Sequence, residues 1–122
     1  MAIATLIERK NFSKPDEVRT FPKGRIEIVN VGGEAVARSI FEPGWKWSDC
    51  VKPQAGTGTC QSPHLGYVIS GRMHVRGDDD TTMDYGPGDA MAIPPGHDAW
   101  VIGDETCVMF DVTAAPTYAK KR

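Results

Sequence analysis

The chain has 122 residues, enough for one domain with a single core and too short for two ordinary ones. Its 40% hydrophobic and 25% charged content is that of a globular protein, and 13 Gly with 9 Pro point to many turns and a strand-rich fold. A net charge of −2, with both signs mixed along the chain, argues against a nucleic-acid or membrane-surface role, which would need a basic stripe.

Residues 1–24 hold two turn-rich stretches, Asn11–Asp16 and Phe21–Gly24, and are expected to form an N-terminal arm or short edge strands. The opening segment lacks the leading positive charge and length of a secretory signal, and no run nears the roughly 18 apolar residues of a membrane span. The expected location is therefore cytoplasmic. Cys50, Cys60 and Cys107, odd in number and widely spaced, read as reduced thiols rather than a disulfide framework.

Regular patterning begins at Arg25. Arg25–Val31 and Ala35–Glu42 are strand candidates, ended by Gly32-Gly33 and Pro43-Gly44. Trp45-Lys46-Trp47 alternates apolar with charged, so a strand there would place both indoles on one face. Residues 52–63 carry too much Gly and Pro for a helix and read as a loop leading into Cys60. Tyr67–Arg76 is the strongest strand signal, followed by a hairpin turn at Gly77–Asp80 and a strand over Thr81–Tyr85. Gly86–Asp89 is another turn, Ala90–Ile93 a short strand, and His97–Ile102 and Thr106–Val112 the last two. About eight short strands at this spacing predict an all-β sandwich or barrel. The expected organisation is an arm over 1–24, a barrel over 25–115 and a tail over 116–122, where Lys120-Lys121-Arg122 reads as solvated.

Two motifs carry ligand chemistry: Cys60-Gln-Ser-Pro-His64 and Pro94-Pro95-Gly96-His97. Thiolate and neutral imidazole hold borderline-soft transition metals. Cys60 and His64 share strand parity, but four residues of straight strand span about 13 Å. A shared ion requires a bend, and Pro63 supplies a reason for one. The plain structural alternative is a buried Cys acting as a small hydrophobe and imidazoles held by neighbouring hydrogen bonds.

The same regions resemble the cupin superfamily, small double-stranded β-helix (jelly-roll) barrels. Tyr67-Val-Ile-Ser-Gly71 matches the end of the first cupin motif, and Gly88-Asp89 through Ile93-Pro-Pro-Gly96 matches the second. The resemblance spans roughly residues 40–112 and implies a single cupin barrel, a small-molecule ligand or substrate, and a homodimer through an N-terminal strand and one barrel sheet. The family's ligand set is altered here. Its glutamate position is His64, its first two histidines fall on Gly58 and Cys60, and its last falls on Ala99, with His97 two residues earlier at the same parity. The resemblance thus implies Cys60 and His64 at ligand positions, and parity adds His97 as the third candidate metal ligand, with zinc the first choice and iron or nickel as alternatives, since thiolate disfavours manganese. The competing expectation is a metal-free ligand-binding or sensory cupin without catalysis.

Other residues are placed more plainly. His74 is expected on the surface or in a structural role, and Cys50 has no partner in sequence. Cys107, Met109 and Asp111 alternate along one face of the last strand; Asp111 is expected to face solvent, with entry into the cavity as an acid the alternative. Trp45, Trp47 and Trp100 suit a pocket mouth or core packing equally. Asp98 neighbours His97 but should point to the opposite face. Gly56-Thr57-Gly58 lacks the lysine and helix of a phosphate loop, and no catalytic residue is assigned.

Overall fold

The computed structural model describes residues 4–120. Nine strands form two antiparallel sheets: β1 (Glu17–Phe21), β2 (Gly24–Val31), β3 (Glu34–Phe41), β4 (His64–Ser70), β5 (Arg72–Gly77), β6 (Thr82–Tyr85), β7 (Ala90–Ile93), β8 (His97–Ile102) and β9 (Cys107–Asp111). The larger sheet runs β1-β2-β3-β9-β4-β7 and the smaller β6-β5-β8. This is the expected all-β jelly-roll barrel. Its inner faces carry the alternating apolar positions, such as Ile26 and Ile28 on β2, Met73 and Val75 on β5, and Cys107 and Met109 on β9, all buried. Each such side chain contributes about 1.5–3 kcal/mol by leaving water. The N-terminal region forms an edge strand, β1, preceded by an irregular stretch in which Phe12 packs on Phe110 at 5.5 Å under Arg38.

Three local expectations need correction. The run Tyr67–Arg76 is two strands, not one. At Gly71 the backbone takes φ +72° and the chain passes from the larger sheet (β4) to the smaller (β5). Trp47 does not continue a strand but opens a one-turn helix, α1 (Trp47–Cys50). Both indoles are nonetheless buried, because Lys46 bridges to Trp100 and turns the chain inward on either side. Finally, the stretch expected as pure loop contains a second helical turn, α2 (Lys52–Ala55). Pro53 sits in the first turn, where its missing N–H has no partner to lose, and Gly56 ends the turn at φ +78°.

The chain after β9 folds back over one end of the barrel. Ala114, Ala115, Tyr118 and Ala119 are buried. Arg19 donates to the Tyr118 carbonyl at 2.6 Å, and Gln54 donates to that of Ala119 at 3.0 Å. Lys121 and Arg122 lie outside the described residues. Among the described residues, no helix is long and apolar enough to cross a membrane.

Candidate metal centre

Cys60, His64 and His97 come together at the end of the barrel under the returning C-terminal segment. One ligand atom from each lies within 4.8 Å of the others. Two features of the backbone achieve this. Cys60 forms an isolated antiparallel bridge with His97: its N–H donates to the His97 carbonyl at 2.7 Å, and its own carbonyl accepts from Gly96 at 2.7 Å and His97 at 3.2 Å. Bridged residues project to the same side, so the thiol lies beside the imidazole. The chain then leaves the bridge through Ser62-Pro63 and enters β4 at His64, so Cys60 is tied to β8 of the smaller sheet while His64 opens a strand of the larger one. That bend replaces a separation of about 13 Å along a straight strand by a Cys60 Sγ to His64 Nε2 distance of 3.9 Å.

Both imidazoles are oriented through their other nitrogen. His64 Nδ1 lies 2.5 Å from Asp111 Oδ2, and His97 Nδ1 lies 2.9 Å from the Pro94 carbonyl oxygen. A carbonyl and a carboxylate only accept, so each Nδ1 donates, and Nε2 is the atom of each ring left to bind an ion. The pair His64–Asp111 is the arrangement in which a carboxylate fixes a ligand's tautomer and raises its basicity. The rings of His64 and His97 meet edge to face at 5.1 Å, and the Tyr118 ring packs edge-on against His64 at 5.2 Å.

The electrostatics suit a divalent ion. Burial, with His64 alongside, lowers His97 to about 4, so its imidazole is neutral at pH 7. Burial also raises the Cys60 thiol to about 11, which an ion would reverse by displacing the proton. For Asp111 burial favours the neutral acid, but the bond to His64 and the backbone N–H groups of Thr113 and Ala114 outweigh it and hold its carboxyl below the ordinary range. Burial raises the Tyr118 hydroxyl well above its ordinary value, with further contributions from Cys60, Asp111 and Cys50.

Asp111 is the residue that sequence reasoning misplaced. It is only 2% exposed and faces inward, opposite Gly66 in the β4–β9 ladder. The signal was present in its alternation with Cys107 and Met109, since a residue of that parity must share their buried face. The remaining candidates lie elsewhere. Asp98 accepts from the Ser48 backbone N–H at 3.1 Å and so supports α1 rather than His97. His74 pairs with Asp84 at 2.5 Å on the outer side of the smaller sheet, with its ring 4.6 Å from that of Trp100. Cys50 and Cys107 are buried and free. Ala99 lines the same interior cavity as His97, at the parity expected of it.

Barrel topology, two imidazoles aimed inward and a thiol at the rim define a class of small jelly-roll proteins with an interior polar site. Residues 51–113, more than half of the chain, match the family model of the cupin domain, and the chain belongs to the cupin family. No curated protein matches it. Its fold is similar to that of a protein of unknown function from Rhizobium leguminosarum bv. viciae 3841, at 18% identity and TM-score 0.63 over 89% of this chain and 97% of that one. It is also similar to the polyketide cyclase RemF from Streptomyces resistomycificus, at 18% identity and TM-score 0.60 over 88% and 79% of the two chains. A mutant of Bacillus subtilis oxalate decarboxylase OxdC is similar at 17% identity and TM-score 0.61, over 92% of this chain and 31% of that one. At these identities the likeness establishes the barrel.

Proposed function

We propose that this chain is a metal-binding cupin in which Cys60, His64 and His97 hold one divalent transition-metal ion, zinc in preference to iron or nickel. The observation that carries this reading is the convergence of three donors within 4.8 Å, with both Nδ1 atoms engaged by acceptors, which leaves Nε2 of each ring for an ion. One thiolate and two imidazoles suit zinc, with a fourth position left for a ligand. An ion there supplies a Lewis acid. The chain's own contributions are orientation of His64 by Asp111 and exclusion of water by Tyr118 and Trp47. A small molecule is best accommodated outside the barrel, in a cavity of about 310 Å³ whose lining includes Cys60, Thr57, Gln61, Ser62, Tyr118 and Lys120. A cluster that depends on a reduced thiol fits a cytoplasmic setting.

Elemental analysis of protein purified without a polyhistidine tag tests this. Stoichiometric metal is expected in the parent and background levels in Cys60→Ser and His64→Ala. A parent that stays metal-free after growth in metal-replete medium would rule the reading out. The competing reading, a metal-free ligand-binding or sensory cupin, has one observation in its favour. With the thiol raised to about 11, Cys60 is protonated without an ion and lies within S–H···N reach of His64 Nε2.

The proposed assembly is a homodimer through the larger sheet. Leu65, Tyr67 and Ile69 project from the outer face of β4 and are 44–48% exposed, while β1 leaves one edge of the sheet unpaired. An apolar stripe and a free edge on one sheet are liabilities that a second copy would cover. Sedimentation should give a dimer for the parent and a monomer for Tyr67→Lys, and a monomeric parent would exclude the assembly.

A further inference from the structure

Two residues separate the outer pocket from the space around the imidazoles. The pocket of about 310 Å³ has Cys60 on its wall but neither His64 nor His97. The interior cavity, about 20 Å³ and room for one water, has both histidines on its wall but not the thiol. Trp47 and Tyr118 line both spaces. A molecule in the outer pocket therefore meets a partition before it meets the imidazoles.

The two halves of that partition are held differently. Trp47 opens α1, and this turn is fixed to the barrel. The Trp47 carbonyl accepts from Val51 at 2.9 Å, the Ser48 N–H donates to Asp98 at 3.1 Å, and Lys46 bridges to Trp100 on β8. Tyr118 belongs instead to the segment Ala114–Lys120, which joins neither sheet. That segment closes its own turn, with Thr117 and Tyr118 donating to the Ala114 carbonyl at 3.1 and 2.8 Å. Among the described residues, three side-chain hydrogen bonds tie it across to the body of the protein. Arg19 donates to the Tyr118 carbonyl at 2.6 Å, Gln54 to the Ala119 carbonyl at 3.0 Å, and the Ser62 and Thr117 hydroxyls pair at 2.7 Å. Besides Tyr118, its buried residues are Ala114, Ala115 and Ala119, whose methyls expose little apolar surface on release. Ala119 also holds φ +53°, a strain that release relieves. A short segment outside both sheets, with few apolar contacts, opens well below the free energy of global unfolding.

We infer that Ala114–Lys120 is a hinged strap that swings on the turn anchored by Asp111, carrying Tyr118 off His64 and joining the outer pocket to the Cys60, His64 and His97 cluster. Closed, it shields the cluster from solvent. Open, it admits an ion and then a ligand from the outer pocket. The opening itself does not depend on metal, whereas what the strap admits rests on the metal centre proposed above. Arg19 and Gln54 set how often it opens, through bonds to its backbone and without touching the cluster.

Thiol labelling of metal-free protein tests the opening. Cys60 lines the outer pocket beside the strap, whereas Cys107 is buried on β9 in the core and is released by global unfolding. An aromatic disulfide reagent is added in native buffer, and initial rates at each cysteine are read by peptide mass spectrometry. In the parent, Cys60 should label at least about tenfold faster than Cys107. Arg19→Met should quicken Cys60 about tenfold through loss of a charged donor, and Gln54→Ala about threefold through loss of a neutral one. Cys107 should keep its parental rate in both. In zinc-loaded protein, transfer of zinc to a chromophoric chelator should quicken by the same factors. Equilibrium affinity should stay within about twofold of the parent, because the strap closes over the empty and the loaded site alike. Equal rates at the two cysteines of the parent, a Cys60 rate unmoved in both variants, or equal acceleration at Cys60 and Cys107 overturns the strap. Zinc release unmoved in a variant whose Cys60 labels faster overturns its role as the door to the cluster. A parent that takes up no zinc overturns the metal centre alone, and the labelling rates still decide whether the strap opens.

Discussion

Asp111→Ala should lower both stability and metal affinity, while Asp111→Asn should lower mainly the second. One carboxylate oxygen is 2.5 Å from His64 Nδ1, and the other accepts from the backbone N–H groups of Thr113 and Ala114 at 2.8 and 2.9 Å. Asp111 thus fixes the ligand imidazole and also starts the turn that returns the C-terminal segment over the site. Alanine removes both functions and strands two backbone donors, for a cost of about 3–5 kcal/mol, the usual loss when a buried pair is broken. Asparagine keeps an acceptor for the turn. Its amide, turned toward His64, opposes the Nδ1 proton and drives the imidazole to the tautomer with the proton on Nε2, where it can no longer ligate. Zinc affinity should then fall by about 10–100-fold, as for other lost partners of ligand imidazoles. Urea unfolding of the metal-free variants and competition with a chromophoric chelator separate the effects. Equal loss of affinity in the two variants with equal loss of stability would show that Asp111 only holds the fold.

The same carboxylate sets a pH dependence. Its pKa in the folded state is below the 3.8 of an unfolded aspartate, so its contribution is fully present above pH 3.8 and is lost as pH falls through the lower, folded value. The acid limb of the stability curve of metal-free protein should therefore be shallower in Asp111→Asn than in the parent.

Gly71→Ala should destabilise the barrel severely. Gly71 has φ +72°, and a Cβ there would lie 2.5 Å from Cys107 Cα, 2.5 Å from the Thr106 carbonyl oxygen and 2.8 Å from Cys107 N. The left-handed backbone costs a non-glycine residue about 1–2 kcal/mol. The clash is with backbone of the neighbouring strand and cannot be relieved by a rotamer, adding about 1–3 kcal/mol of overpacking or more. Gly58→Ala is the matched control: its Cβ would meet nothing within 4 Å, and its effect should stay within about 0.5 kcal/mol. Denaturant midpoints decide the matter. A Gly71→Ala protein as stable as the control would mean that the crossing between sheets at this residue is wrongly described.

Gly71 and Asp111 also mark where sequence reasoning stops. The motif Tyr67–Gly71 was legible because strand alternation and a terminal glycine are local properties. It could not reveal that Gly71 switches sheets, since that depends on which partner each half pairs with. Pro63 announced a bend between Cys60 and His64, but the bridge that sets Cys60 beside His97 joins residues far apart in the chain. Asp111 is the residue for which solvent was the expectation and the cavity the alternative, and its parity with Cys107 and Met109 pointed inward. Charge lost to parity because a carboxylate can be buried once His64 and two backbone N–H groups bind it.

By itself the sequence determined a single strand-rich domain, the two cupin motifs and three residues of metal-binding chemistry, because periodicity, turn residues and donor type are written locally along the chain. Tertiary structure alone decided that the thiol and both imidazoles converge and that Asp111 and Pro94 engage their Nδ1 atoms. Those properties exist only when side chains from different strands and both sheets share one buried volume, where every donor and acceptor must be met or its cost carried.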